Sequence, residues 1–190
     1  MGRTIELVDQ TPEWSACFEK EAEHLAVIFG PQLVAIHHIG STAIPGVKAK
    51  PIIDMLVVIK HIETIETFNA PMQQLGYRPR GECLENPIPG SPGRFYFSKD
   101  TDRVRTHQVH VCQEGHADIE DKLVFRDYLR AHCEEAQTYS RLKERLAAKH
   151  RHDIVGYIQG KDDFVRRMIA QAQVWRRKVH GIGDVRPGGT

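Results

Sequence analysis

The 190-residue sequence contains no run approaching the roughly 20 consecutive apolar residues that a membrane-spanning helix requires. Its opening stretch, MGRTIELVDQTPEW, has no apolar region of the kind that begins a secretory signal. Cysteine is scarce: Cys17, Cys83, Cys112 and Cys133 form no CxxC pair, and a disulfide framework is not expected at this size. Nor does charge of one sign prevail. Lys and Arg total 26 against 25 Asp and Glu, a net +1, so the basic footprint of a nucleic-acid-binding protein is absent. No internal repeat is visible. These absences together lead us to expect a cytoplasmic chain with free thiols and no membrane or strong nucleic-acid partner.

What is present is ordinary globular material. Hydrophobic residues make up 41% and charged residues 27%, which excludes a fibre or a disordered chain. A chain of this length buries enough surface to fold without a staple or structural metal. We expect one domain over 1–180, with an αβ core over 1–117, a helical part over 118–180 and a flexible tail over 181–190. The charge is uneven across that division. Residues 1–117 carry 11 basic and 14 acidic side chains, and residues 118–190 carry 15 and 11. The basic half could hold an anion against the other, although solvated helix faces explain the same asymmetry.

The elements follow from period and punctuation. Thr11 and Pro12 open a helix in which Trp14, Phe18, Ala22, Leu25 and Phe29 recur at helical spacing, and Gly30-Pro31 closes it. A short edge strand is expected over 4–8. A strand follows over 33–39, then a Gly- and Pro-rich loop to Pro51 with room for one helical turn. The nearly continuous apolar run 51–59 reads as a strand covered on both faces. Residues 62–75 fit a second helix, and 77–83, 94–98 and 105–112 read as strands. Between the first two of these, residues 85–93 hold three Pro and two Gly and are expected to form a mobile loop. From 118 onward the period is helical, in segments around 119–129, 136–146 and 154–172. The layout is α+β with a C-terminal helical layer.

The chemistry concentrates in IHHIGSTAIPGVKAKPIIDMLVVI, residues 36–59. Gly40 permits close approach of a phosphate to the backbone, and Ser41 and Thr42 offer hydroxyl and N–H donors. Asp54 stands alone in an apolar strand, where a carboxylate is costly without a partner and where it could serve as a hard oxygen ligand for Mg²⁺ beside substrate phosphates. Read bare, the Gly-Ser dipeptide is equally an ordinary turn. His110 shares a strand face with Gln108 and Cys112 and is a candidate acid/base, while His107 points to the opposite face with Val109 and Val111. The alternative for His110 is a structural, hydrogen-bonded histidine. Glu82 is a candidate carboxylate at a strand end. Lys48, Lys50 and Arg94 are candidate phosphate clamps, and Lys161 lies on the apolar stripe of the last helix. Solvated or snorkelling cations are the alternative for these.

The 36–59 block, together with YRPRGE (77–82), RFYF (94–97), THQVHV (106–111), LVFRDYLR (123–130), YSRLK (139–143) and Tyr157 with Lys161, resembles the GrpB family over about residues 5–172. That resemblance implies a nucleotidyltransferase-like α+β fold, a mixed sheet with flanking helices. It implies the Gly40-Ser41 turn and Asp54 as the first carboxylate; beside them our reading expects Glu82 and His110 as further catalytic residues, with Gly40, Ser41, Thr42, Lys50, Arg94 and Lys161 holding a nucleotide or phosphorylated small molecule. Domains of this kind also occur fused to dephospho-CoA kinase, which suggests a link to nucleotide or coenzyme A metabolism. The nucleotidyltransferase pattern places a second carboxylate two residues after the first, on the same strand face, so that a pair can bind Mg²⁺. Here that position is Leu56. Glu82 is therefore expected to lie beside the sheet centre and complete the Mg²⁺ site with Asp54. Without it, the domain would bind and not transfer.

Overall fold

Trp14, Leu25 and Phe29 are buried at helical spacing along α1, Glu13–Phe29, in the computed structural model of the chain, which describes residues 4–83, 90–102 and 104–179. Gly30 ends the helix at φ +47°, a backbone geometry that suits glycine. Five strands follow, β1 (Leu33–Ile39), β2 (Ile53–Ile59), β3 (Tyr77–Glu82), β4 (Arg94–Thr101) and β5 (Val104–Gln113). They form one sheet in the order β1-β2-β5-β4-β3, with β2 parallel to β5 and all other neighbours antiparallel.

The central strands are apolar because both faces are covered. Met55, Val57 and Ile59 of β2 and Val109 and Val111 of β5 pack beneath α1 and a short helix, α2 (Asn69–Gln74). Leu56 and Val58 pack with Cys112 of β5 and with Ile119 and Leu123 of α3 (Ala117–Ala131). Two further helices, α4 (Cys133–Lys149) and α5 (Ile154–Val179), complete the expected C-terminal layer. Leu129, Ala136, Tyr139, Phe164 and Met168 from these helices enclose Ile44 and Val47 of the β1–β2 connection, both fully buried. The helical layer thus grips the loop that carries the Gly-Ser turn.

Several expectations are corrected. Residues 4–8 form no strand of the sheet: Val8 makes a single bridge to Ala49, and Ile5 donates its N–H to the Arg151 carbonyl. The helix expected over 62–75 is a 3₁₀ segment over 62–68 leading into α2. Its Thr64 and Thr67 hydroxyls bond carbonyls three residues back, a local competition that weakens α-helical pairing. Strand β3 pairs only with β4, so Glu82 sits on the outer edge strand, separated from β2 by both β5 and β4, and not beside the sheet centre. All four cysteines are free thiols, as expected. No helix among the described residues is long and apolar enough to cross a membrane. Most of the 85–93 loop and the tail from 181 lie outside the described residues.

Candidate functional site

The strand β1 ends at Ile39, and the chain turns at Gly40 with φ +71°, followed by one 3₁₀ turn over Ser41–Ala43. Glycine is required here twice over. The positive φ disfavours any side chain, and a Cβ on Gly40 would overlap the Asp54 carboxylate and stand 3.0 Å from Asp54 Cβ. The turn is therefore laid directly on the acidic side chain, which β2 presents at the register position opposite Ile39.

Helix α3 holds the turn from the other side. Arg126 donates to the His38 carbonyl at 3.0 Å, and Arg130 donates to the Ala43 carbonyl at 2.7 Å. His38 is buried, stacks on Phe18 and hydrogen-bonds the Thr42 hydroxyl at 2.9 Å. Burial, reinforced by Arg130 and Arg126, brings its pKa down to about 4, so it stays neutral at physiological pH. The Thr42 hydroxyl is committed to His38 and to the Ile52 carbonyl.

A cleft of about 650 Å³ opens above Asp54, between the sheet face and helices α3, α4 and α5. Gly40, Ser41, Thr42, Lys50, Asp54, Arg94, His110 and Lys161 all line it, as do two lysines that the sequence reading passed over, Lys122 of α3 and Lys143 of α4. Asp54 is half-buried on the wall of the cleft. Burial pushes its pKa up against the pull of Lys50, Lys161, Lys122 and Lys143. The two overlooked lysines left a faint signal. Lys122 stands three residues after Ile119 and three before Phe125, and Lys143 stands four residues after Tyr139, so each shares a helix face with core residues.

Glu82 is not among the residues that line the cleft. Its carboxylate accepts the Gly93 N–H at 2.6 Å. The other carboxylates on the cleft wall also have partners: Asp118 pairs with Arg94, Asp162 with Arg166, and Asp121 accepts from Gln173. Among the described residues no group of three His, Cys, Asp or Glu is disposed to hold a metal. Asp54 and Glu82 are therefore not brought together as the expected Mg²⁺ pair. Asp54 shares the cleft with four lysine side chains, an environment suited to an anion.

His110 pairs in register with Leu56 and faces the cleft, stacked on Tyr96 with centroids 5.2 Å apart. Among the described residues its buried Nδ1 has no hydrogen-bond partner. Burial, with Lys122 and Arg94 nearby, holds it neutral, well below the usual imidazole range. His107 lies on the opposite face, as the strand alternation requires, in the field of Glu21 and Lys99. Lys50 and Lys161 both stand over the Tyr157 ring, 5.6 and 5.5 Å from its centroid.

The GrpB protein family model matches residues 4–171. The UPF0157 protein YqkA of Bacillus subtilis is 45% identical over 92% of this chain, and the chain spans about half (49%) of that relative's length. The crystal structure of conserved protein GrpB from Enterococcus faecalis superposes with a TM-score of 0.80 at 34% identity, covering 90% of this chain and 99% of that one. Terminal uridylyl transferase 4 from Trypanosoma brucei, solved with bound dUTP, superposes with a TM-score of 0.50 at 12% identity over 75% of this chain and 47% of its own, a likeness of fold alone. The sheet with its flanking helices is thus nucleotidyltransferase-like, and the chain belongs to the GrpB family.

Proposed function

We propose that the cleft binds a nucleotide or another phosphorylated small molecule, with its phosphates held by Lys50, Lys122, Lys143 and Lys161 against the Gly40-Ser41 turn. The observation that carries this reading is the convergence of four lysines, from one loop and three helices, on the wall of one cleft beside the Gly40-Ser41 turn. Clustered ammonium groups repel one another when the site is empty, and an anion relieves that repulsion. Partly desolvated pairs of this kind are stronger than surface ones. The chain acts here as a binding module, which is consistent with Leu56 in place of a second acid and with Glu82 turned to Gly93.

Thermal shift against ATP, UTP, coenzyme A, inorganic pyrophosphate and adenosine, each with and without Mg²⁺, tests the reading. A ligand at 100 times its dissociation constant adds about 2.7 kcal/mol to the folded state. Phosphorylated ligands should raise the Tm without added Mg²⁺, and adenosine should not. Exchange of Lys122 or Lys161 for Gln should each weaken binding by about tenfold, the loss of one charge-assisted hydrogen bond. An adenosine shift equal to that of ATP would overturn the phosphate assignment.

Nucleotidyl transfer is the second reading. The close packing of the Gly40-Ser41 turn on Asp54 favours it, because that juxtaposition is the part of the nucleotidyltransferase pattern the chain retains. Release of pyrophosphate from a nucleoside triphosphate in the presence of Mg²⁺ and an acceptor would decide for it.

A further inference from the structure

The cations of the cleft fall into two groups by the elements that hold them. In the first, Lys50 of the loop and Lys161 of α5 share the Tyr157 ring, and Lys143 of α4 stands 4.9 Å from the Tyr139 centroid with its Nζ donating to the Lys48 carbonyl. The second comprises Arg94 of β4 and Lys122 of α3, beside His110 of β5. The register sets this second group outward from Asp54. Strand β5 lies next to β2 and β4 lies beyond it, with Tyr96 opposite His110 and Arg94 opposite Cys112. Arg94 and His110 therefore share the cleft face of neighbouring strands, one diagonal step apart. Asp54 stands in the field of both groups, and its own carboxylate discourages a single anion centred over it.

The second group carries polar atoms that the fold leaves unused. Among the described residues His110 Nδ1 and Arg94 Nε are buried with no hydrogen-bond partner. The His110 ring is stacked on Tyr96. Arg94 spends its Nη1 on Asp118, and the Cys83 thiol lies beside its guanidinium. The acids around Lys122 are Asp118, already paired with Arg94, and Asp54. A buried donor without an acceptor is costly, and two such atoms beside a lysine mark the place of an acceptor that a ligand supplies.

We propose that Arg94, Lys122 and His110 form a second anion subsite, so that the ligand of the cleft carries two separated anionic groups. One is the phosphate held by Lys50, Lys143 and Lys161. The other, a phosphate or a carboxylate, accepts from Arg94 Nε, Lys122 Nζ and His110 Nδ1–H. The neutral imidazole carries its proton on one nitrogen, and an anion at Nδ1 draws it there. The inference rests on the phosphate-binding reading above and narrows its ligand class to doubly anionic small molecules.

Calorimetric titration of the full chain with methylphosphonate and with a series of alkane bisphosphonates of increasing spacer length tests the inference. The best-spaced bisphosphonate should bind at least about a hundredfold more tightly than methylphosphonate, because its second group binds intramolecularly. A larger gain with the phosphonocarboxylate of the same spacer assigns a carboxylate to the second subsite, and a larger gain with the bisphosphonate assigns a phosphate. His110→Phe, which keeps a ring against Tyr96, and Lys122→Met should each weaken the best bisphosphonate by about tenfold, the loss of one charge-assisted hydrogen bond, while circular dichroism shows the fold retained. Nitrogen NMR of the histidine-labelled chain should find the His110 proton on Nδ1 in the complex, a signature that a merely structural histidine would not acquire on titration. Affinity that is flat in spacer length, a gain that survives both variants, or an unprotonated Nδ1 in the complex overturns the second subsite and leaves the single phosphate site standing. Binding that is lost in both variants and unchanged in Lys161→Gln overturns the phosphate assignment to the lysines of the loop, α4 and α5. A chain that binds none of these compounds overturns both readings.

Discussion

Lys143 and Asp54 are the two residues at which folding and binding pull hardest against each other. The folded-state pKa of Lys143 is about 7, well below its ordinary value of 10.5. Between those two values the unfolded chain binds a proton that the folded chain does not, so stability rises as the pH is raised from 7 towards 10. Below pH 7 the buried ammonium imposes its full cost, on the order of a few kcal/mol. Lys143→Met should therefore be more stable than the parent at pH 6 and lose much of this pH slope. Urea melts of both proteins at pH 6, 8 and 9.5 measure it, and an unchanged slope in the variant would remove Lys143 as its source. Asp54 gives the complementary case. Its pKa is raised, so even with four lysines near, the charged carboxylate is less favourable in the fold than in water. Asp54→Asn should keep or gain stability and, by removing the one negative charge facing the ligand, bind pyrophosphate more tightly by roughly tenfold, about 1.4 kcal/mol. Loss of a Mg²⁺-dependent component of binding in this variant would instead mark Asp54 as a metal ligand and restore the transferase reading to first place.

At the element scale, the Gly-Ser turn is a part built by its neighbours. Gly40 packs on Asp54, and Arg126 and Arg130 of α3 hold the carbonyls of His38 and Ala43. Gly40→Ala must displace either the turn or the carboxylate, with a loss of about 1–3 kcal/mol from backbone strain alone. Arg130→Met leaves the Ala43 carbonyl without that donor and should cost about 1–3 kcal/mol. Ligand affinity should fall in both variants, as isothermal titration with pyrophosphate would show; undiminished affinity in Gly40→Ala would detach the turn from the site. Much of this part was legible in the sequence. The apolar run around Asp54 marked a doubly covered strand, and Gly40 was singled out because close backbone approach suits glycine. The 3.6-residue period also placed the three C-terminal helices. Glu82 was misplaced although YRPRGE carries an edge signal: Pro79 cannot donate to a ladder and so suits an edge strand, as β3 is. Lys122 and Lys143 were missed because a lysine on an apolar helix face usually snorkels to solvent. Only the sheet opposite them turns that face into a cleft wall. The 3₁₀ segment over 62–68 kept helical polarity spacing while its threonine hydroxyls took carbonyls locally, a competition that periodicity does not register.

On the scale of the whole molecule, the αβ part and the helical part share one interior, which makes the chain a single folding unit in our reading. Ile44 and Val47 belong to the first part in sequence, yet their fully buried side chains pack with Leu129, Tyr139 and Met168 of the second. Leu56 and Val58 of the central strand likewise pack against Ile119 and Leu123. Burying an aliphatic side chain of this size contributes about 1.5–3 kcal/mol. Exposing Ile44, Val47, Leu56 and Val58 together would therefore remove roughly 6–12 kcal/mol, comparable to the whole stability of a typical domain. The Lys48 backbone would at the same time lose the Ser140 and Lys143 partners that fix it. A chain ending at residue 117 should consequently lack a cooperative thermal transition, whereas residues 1–180 should unfold in a single transition that shifts upward as a whole when a phosphorylated ligand is added, because the cleft is lined by the loop, β2 and the helices at once. Calorimetry and circular dichroism on the two chains make the comparison. A cooperative melt from the 117-residue chain, or a ligand shift confined to one of two separate transitions in the longer one, would show that the parts fold independently and that the cleft is an interface between two domains and not the interior of one.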